Sequence, residues 1–233
     1  MIYLIGIGIN KENITLGALE SAKKCDELYL ESYTSIGLGR EELEKIFNKK
    51  IKKVNREFVE NYDVSKAKDK NIGFFVYGDI FSATTHISLL LDCKKNKIDI
   101  KLINGISILT LIGNTGLNLY NFGKIISVSF HDADLIKPLK NNGNLHTLFL
   151  LDLDPENNKF VSINESVGRL LKQGMKNKLC VGIEKLGFKD ERIVVKNAEE
   201  LLKIKFDKFP QCLIVPGKLH FVEEEVLNSW NSQ

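Results

Sequence analysis

Residues Ile72 to His86 read IGFFVYGDIFSATTH, and this stretch decides the fold. Ile72–Tyr77 is an almost unbroken apolar run. A strand covered on one face alternates apolar with polar side chains. A strand covered on both faces is apolar throughout, as in parallel sheets. The run stops at Gly78-Asp79 and passes into Ala83–Cys93, where Ile87, Leu90 and Leu91 predict the apolar face of a helix. Strand, glycine turn and helix form the unit from which parallel sheets with helix-covered faces are built.

Toward the N-terminus the unit recurs. Ile2–Ile7 is a second buried strand, closing on Gly6-Ile7-Gly8. Thr15 predicts the N-cap of a helix carrying Leu16, Leu19 and Ala22. Glu27–Glu31 predicts a strand, Gly39–Phe47 an amphipathic helix with Leu43, Ile46 and Phe47 inward, and Lys52–Val54 a short strand. The lysines of Lys49–Lys53 read as a solvated helix end and sheet edge. Asp99–Ile103 closes this series.

Toward the C-terminus, Ile106–Ile112 predicts a helix that breaks at Gly113-Asn114-Thr115-Gly116, a hinge. Beyond it strands follow one another with fewer helices. Strands are expected at Ile125–Phe130, His146–Leu153, Lys178–Ile183 and Gln211–Val215, with a further one over Phe188–Ile193. Helices are expected at Ser162–Gln173, with Val167, Leu170 and Leu171 inward, and at Ala198–Ile204. The expectation is two α/β domains. Residues 1–112 hold a mostly parallel sheet and residues 113–233 a mixed one.

Composition narrows the function. The chain has 233 residues, 43% of them hydrophobic, which suffices for two cores without staples. A net charge of +3 is too balanced to point to a nucleic-acid partner. No apolar run approaches the roughly 20 residues of a membrane span. Met1–Ile9 lacks the basic lead of a signal peptide. The expectation is a soluble, cytoplasmic protein without a nucleic-acid or membrane partner. Cys25, Cys93, Cys180 and Cys212 lie in or beside apolar runs, so buried free thiols are expected. His86, His131, His146 and His220 show no metal-ligand spacing, so no metal is expected.

Three glycine-marked turns, at Gly6/Gly8, Gly78 and Gly105, each end a strand of the first sheet. Parallel strands bring such turns to one edge, where open α/β sheets bind ligands. Gly6-Ile7-Gly8 alone is a weak dinucleotide signal, because the third glycine position is Lys11. Glu31 lies near where a ribose-binding acid would stand. Two roles are open for Asp79: contact with a ligand amine or cation, or capping of the following helix together with Ser82. Ser107 is open in the same way. Lys218 and His220 of PGKLH suit an anion or a proton, or else form a solvated turn with a packed histidine.

Taken in order, LIGIGIN, ITLGALESAKKCDELYLESYTS, VYGDIFSATTH, GISI, TGLNLYNFGK, HTLFLLDL and CLIVPGKLH resemble the diphthine synthases, a family of the tetrapyrrole (corrin/porphyrin) methylase superfamily. The resemblance covers nearly the whole chain. It implies two α/β domains with S-adenosylmethionine in the cleft between them, and a homodimer. It implies methyl transfer to the amino group of a modified histidine of translation elongation factor 2, giving diphthine; eukaryotic relatives add a methyl ester as well. It places cofactor contacts on Ile9, Asp79, Ser82, Ser107, Ile108, Leu151, Leu186 and Gln211. Direct displacement from a sulfonium calls for neither metal nor covalent enzyme intermediate. The acceptor amine must be unprotonated, and His86 and His220 are candidates to take its proton. The chain departs from the family at Ile80, where a loop-stiffening proline is usual, in the short His131–Asn144 stretch, and in the bulkier turn Glu184-Lys185-Leu186-Gly187.

Two other readings stay open. A methylase of precorrin or uroporphyrinogen would bind an acidic macrocycle and want clustered arginines, but Arg40, Arg56, Arg169 and Arg192 are scattered. A binding module that kept the fold without the activity would have little affinity for the cofactor.

Overall fold

The computed structural model describes residues 1–230. It divides into two units, Met1–Leu109 with Pro155–Asn157, and Thr110–Asp154 with the residues from Asn158 onward. Among the described residues each unit is built on one five-stranded sheet.

The first unit runs β1 (Ile2–Gly6), α1 (Leu16–Lys24), β2 (Glu27–Glu31), α2 (Arg40–Phe47), β3 (Lys52–Val54), α3 (Arg56–Glu60), β4 (Ile72–Val76), α4 (Ile87–Lys95) and β5 (Ile100–Ile103). Its strands are all parallel, in the order β3-β2-β4-β1-β5. Successive strand residues face opposite ways, which gives the sheet two cores. Tyr3, Ile5, Leu28, Leu30 and Phe75 meet Ala18 and Ala22 of α1 and Leu43 and Phe47 of α2. Ile2, Leu4, Tyr29, Phe74 and Val76 meet Val59 of α3 and Leu89 and Cys93 of α4. This two-sided burial is why the central strands β1 and β4 read as continuous apolar runs, while the edge strands β3 and β5 carry exposed lysines. Thr15 caps α1 by accepting from Ala18 N at 3.1 Å, as expected.

α4 departs from expectation in start and face. Ala83 has φ +61°, a left-handed conformation through which a helix cannot run, so the helix begins at Ile87. Its inward residues are Leu89 and Cys93, leaving Ile87 at 66% and Leu91 at 53% exposure. The expected helix at Ile106–Ile112 shortens to α5 (Ile108–Leu111) and a tight turn over Ile112–Thr115, ended by Gly116 at φ +90°.

The second unit continues with β6 (Ile126–Val128), α6 (Ile136–Asn141), β7 (Thr147–Leu151), β8 (Leu153–Asp154), β9 (Lys159–Phe160), α7 (Ile163–Lys172), β10 (Leu179–Glu184), β11 (Arg192–Asn197), α8 (Ala198–Leu201), β12 (Gln211–Val215) and α9 (Phe221–Ser229). The sheet order is β11-β10-β12-β7-β6. Only β6 and β7 pair in parallel; the other neighbours are antiparallel. Val128, Phe149, Cys180 and Leu213 pack against Ile163, Val167 and Leu170 of α7 and Leu201 of α8. The strand expected over Phe188–Ile193 lies later, at β11.

A buried polar knot closes this unit. The Glu223 carboxylate accepts from Asn118 N at 2.9 Å, His220 N at 2.8 Å and His146 Nε2 at 3.2 Å. His146 Nδ1 accepts from Gly217 N at 3.0 Å, so the proton of the neutral ring sits on Nε2 and is donated to Glu223. Burial opposes ionisation of Glu223, but the donors from His220, Asn118 and His146 outweigh it and hold the acid below its usual range. The packed histidine near PGKLH is therefore His146, and His220 is exposed at the N-cap of α9. The four cysteines are buried. No helix among the described residues is long and apolar enough to cross a membrane.

Candidate active site

The connection leaving β1 crosses to β2 with α1 on one face, and that leaving β4 crosses to β5 with α4 on the other. Adjacent strands whose connections part to opposite faces leave a crevice beyond their carboxyl ends. The three glycine turns meet there. Gly8 and Gly78 pair across the edge, Gly8 N to Gly78 O at 3.1 Å and Gly78 N to Gly8 O at 2.9 Å. A methyl on Gly6 would stand 2.6 Å from Gly105 N, and one on Gly105 would overlap Gly78 O. The glycines thus let three backbone turns touch one another. Gly8, at φ +70°, turns the chain into a tight turn over Lys11–Asn13 instead of straight into α1. That is why the dinucleotide pattern stops at Lys11.

Asp79 locks two of these turns together, that of Gly78 and that of Gly105. Its Oδ1 accepts from Phe81 N at 3.2 Å and Ser82 Oγ at 3.1 Å. Its Oδ2 accepts from Asn104 Nδ2 at 3.0 Å and Gly105 N at 3.2 Å. Partial burial would raise its pKa, but the bonds from Asn104, Phe81, Gly105 and Ser82 win and lower it. Asp79 is therefore a held anion joining the ends of β4 and β5. Sequence reasoning missed Asn104; its signal was an Asn beside a strand-ending glycine. Ser107 accepts from Leu109 N at 3.1 Å, so its oxygen serves the local turn and its hydroxyl proton remains available. Ile9, Ser82 and Ile108 are half-buried around this edge. Ile80 is 0% exposed within the core that holds Phe74 and Leu89. Burial of Ile80 and the bonds to Asp79 stiffen the loop where a proline is usual.

Glu31 is no ribose acid here. It is fully buried and accepts from Thr34 N at 3.0 Å, Tyr33 N at 3.2 Å and Tyr77 N at 3.4 Å, tying the loop after β2 to the end of β4. Desolvation raises its pKa against these bonds. Tyr77 holds the same loop by donating to Leu38 O at 2.6 Å. His86 is 1% exposed and is kept neutral, its pKa lowered to about 4 by burial and then by the charge of Arg56.

In the second unit Leu150 pairs with Cys212, and Glu184 with Gln211. That register puts Leu151, Gln211 and the turn with Leu186 at one edge of the mixed sheet. Leu151 and Leu186 are buried. The Gln211 side chain is committed, accepting from Ile163 N at 2.9 Å and donating to Lys208 O at 3.0 Å. Both polar atoms of the Gln211 side chain thus already have a partner within the chain. The turn departs from helical geometry at Lys185 (φ +51°) and Gly187 (φ +84°). The eight expected contact residues thus form two groups, five on the edge of the first sheet and three on the edge of the second.

Comparison with known proteins bears on what these edges serve. The family model of Tetrapyrrole (Corrin/Porphyrin) Methylases matches residues 1–202. A diphthine synthase of Methanocaldococcus jannaschii is 37% identical, covering 97% of each chain. A probable diphthine methyl ester synthase of Arabidopsis thaliana is 33% identical, again over 97% of each. A crystal structure of diphthine synthase superposes with TM-score 0.92 at 32% identity, covering 99% of this chain and 96% of its own. The chain belongs to the tetrapyrrole (corrin/porphyrin) methylase family, within its diphthine synthase group of methyltransferases.

Proposed function

We propose that this chain uses S-adenosylmethionine to methylate the amino group of the modified histidine of translation elongation factor 2, giving diphthine. The observation that carries the reading is the meeting of the Gly8, Gly78 and Gly105 turns at the crevice of the first sheet, the last two tied by Asp79. The likeness to diphthine synthases along nearly the whole chain supports it. The residue set suits the cofactor. The half-buried Ile9 and Ile108 offer apolar surface to a nucleoside, while Ser82 and Ser107 keep spare hydrogen-bonding capacity for hydroxyls. The held charge of Asp79 favours a cation.

When bound, S-adenosylmethionine supplies a methyl group already activated on a sulfonium. The task left to the chain is to fix the acceptor amine in line and exclude water. Residues 1–112 and 113–233 act as two domains, the first contributing Ile9, Asp79, Ser82, Ser107 and Ile108 to cofactor binding and the second Leu151, Leu186 and Gln211. The reading includes a homodimer in the cytoplasm, in which the exposed Ile87 and Leu91 of α4 are available for a subunit contact. A tetrapyrrole substrate is less well matched. Arg169 donates to Ser129 O and pairs with Glu165, and Arg192 donates to Lys205 O and pairs with Glu184.

The test is incubation with methyl-labelled S-adenosylmethionine and, separately, elongation factor 2 bearing the unmethylated side chain or uroporphyrinogen. Label is expected on the protein amine. Label on the macrocycle, or no binding of cofactor in a thermal-shift assay, overturns the reading.

A further inference from the structure

Beyond the cofactor edge, the carboxyl ends of β2 and β3 carry a second cluster that none of the functions above employs. Tyr33, at the end of β2, places its hydroxyl 3.4 Å from Thr85 Oγ1 and 3.4 Å from His86 Nε2 in the loop after β4. Arg56, just past β3, lies with its guanidinium 5.2 Å from the centre of the Tyr33 ring. Its one ion pair among the described residues is with Glu60 at 3.9 Å, between two exposed side chains, where such a pair contributes little. Arg169 and Arg192, by contrast, spend their donors on carbonyls of their own chain. Arg56 therefore presents a planar fork of N–H donors to solvent, with its guanidinium carbon over an aromatic ring. Sheet order places it about two strand spacings, or ~10 Å, from the β4 loop that bears Asp79. Below it, His86 is buried and its Nδ1 has no partner among the described residues.

The proposed acceptor is an amine; the Arabidopsis relative is named a probable diphthine methyl ester synthase, and forming a methyl ester needs a carboxyl group, which on this reading the acceptor of this chain bears too. Amine and carboxylate together make an amino-acid head. We infer that Arg56, seated on Tyr33, binds the carboxylate of this head and so sets the amine beside the cofactor edge. The inference rests on the proposed function. A guanidinium takes a carboxylate through two parallel bonds, which fixes direction as well as charge. Tyr33 and His86 act as positioning residues, orienting Arg56 without touching substrate. His86, uncharged, adds no second cation that would broaden the anion preference.

The experiment measures methyl transfer to elongation factor 2 by wild type, Arg56→Met and Arg56→Lys. The acceptor is supplied with its side-chain carboxyl free or converted to the methyl ester. Arg56→Met is expected to raise KM for the free acid about 10- to 100-fold, the range of a hydrogen bond to a charged group, with little change in kcat. Arg56→Lys keeps the charge without the fork and should recover part of the loss. The decisive readout is the preference of wild type for free acid over ester, which should collapse in Arg56→Met. Binding of S-adenosylmethionine, followed by thermal shift, should be unchanged in both variants, which shows that they fold. An acid preference that survives in Arg56→Met overturns the inference. Absence of transfer by wild type itself overturns the proposed function instead.

Discussion

Gly105 and Gly78 touch backbone to backbone: a methyl on Gly105 would overlap the Gly78 carbonyl oxygen, and Asp79, next in the chain, accepts from Gly105 N at 3.2 Å. The ends of β4 and β5 are closed onto each other by a space only hydrogen can fill and by one carboxylate.

Gly105→Ala must push these turns apart. Overpacking against backbone is expected to cost about 2–3 kcal/mol, seen as a lowered melting temperature. Calorimetry should show weaker S-adenosylmethionine binding even at temperatures where the variant is folded.

Asp79→Asn keeps the shape of the side chain but turns one acceptor into a donor. That NH2 must face either Gly105 N and Asn104 or Phe81 N and Ser82; at this half-buried site the lost bonds are expected to cost about 1 kcal/mol. The pH dependence has a definite sign. The carboxyl of Asp79 is held below its unfolded pKa, so its contribution is present above about pH 4 and is lost as pH falls through the lower folded value. The stability gap between wild type and Asp79→Asn should therefore close in strong acid. Asp79→Ala should also weaken cofactor binding; unaltered affinity would remove Asp79 from the site.

His86 titrates in another window. Its pKa is about 4 in the folded chain, against roughly 6.5 unfolded. The unfolded state binds the proton first, so stability falls as pH drops from about 6.5 toward 4, by up to about 1.4 kcal/mol per pH unit. His86→Phe is expected to flatten this slope, which denaturation at a series of pH values would reveal. A slope unchanged in the variant would assign it to other groups.

The Glu223 knot predicts a local effect. Glu223→Ala leaves Asn118 N, His220 N and the His146 ring without their acceptor. The expected cost is about 3 kcal/mol. The one tryptophan, Trp230, donates to Thr115 O at 3.1 Å in the same unit, so its fluorescence reports this loss. An unfolding midpoint unmoved by Glu223→Ala would show that water replaces the carboxylate without cost.

The parts legible in the sequence were those with strong local pattern. Ile2–Gly6 and Gln211–Val215 were found because burial on both faces leaves nearly continuous apolar runs, Glu27–Glu31 and the edge strand Lys52–Val54 because they stand between helical patterns, and Thr15 because a cap acts within one helical turn. What was missed had a short or broken pattern. α3 has five residues, α6 contains Pro138, and α9 begins with the exposed Phe221 and Val222 behind a histidine cap. The start of α4 was misread because Ala83 adopts a left-handed turn that no propensity of alanine signals.

The sequence alone determined that the chain folds as helix-covered sheets, and that glycine turns end three strands of the first. Hydrophobic periodicity is a property of neighbouring residues and is therefore written locally. Tertiary structure decided what those turns do. Asp79 finds Gly105 26 residues away, Tyr33 finds His86 53 residues away, and Glu223 finds Asn118 105 residues away. Such partners exist only once strand order has made distant loops neighbours, and only then does the choice between helix cap, held anion and ligand contact acquire a physical answer.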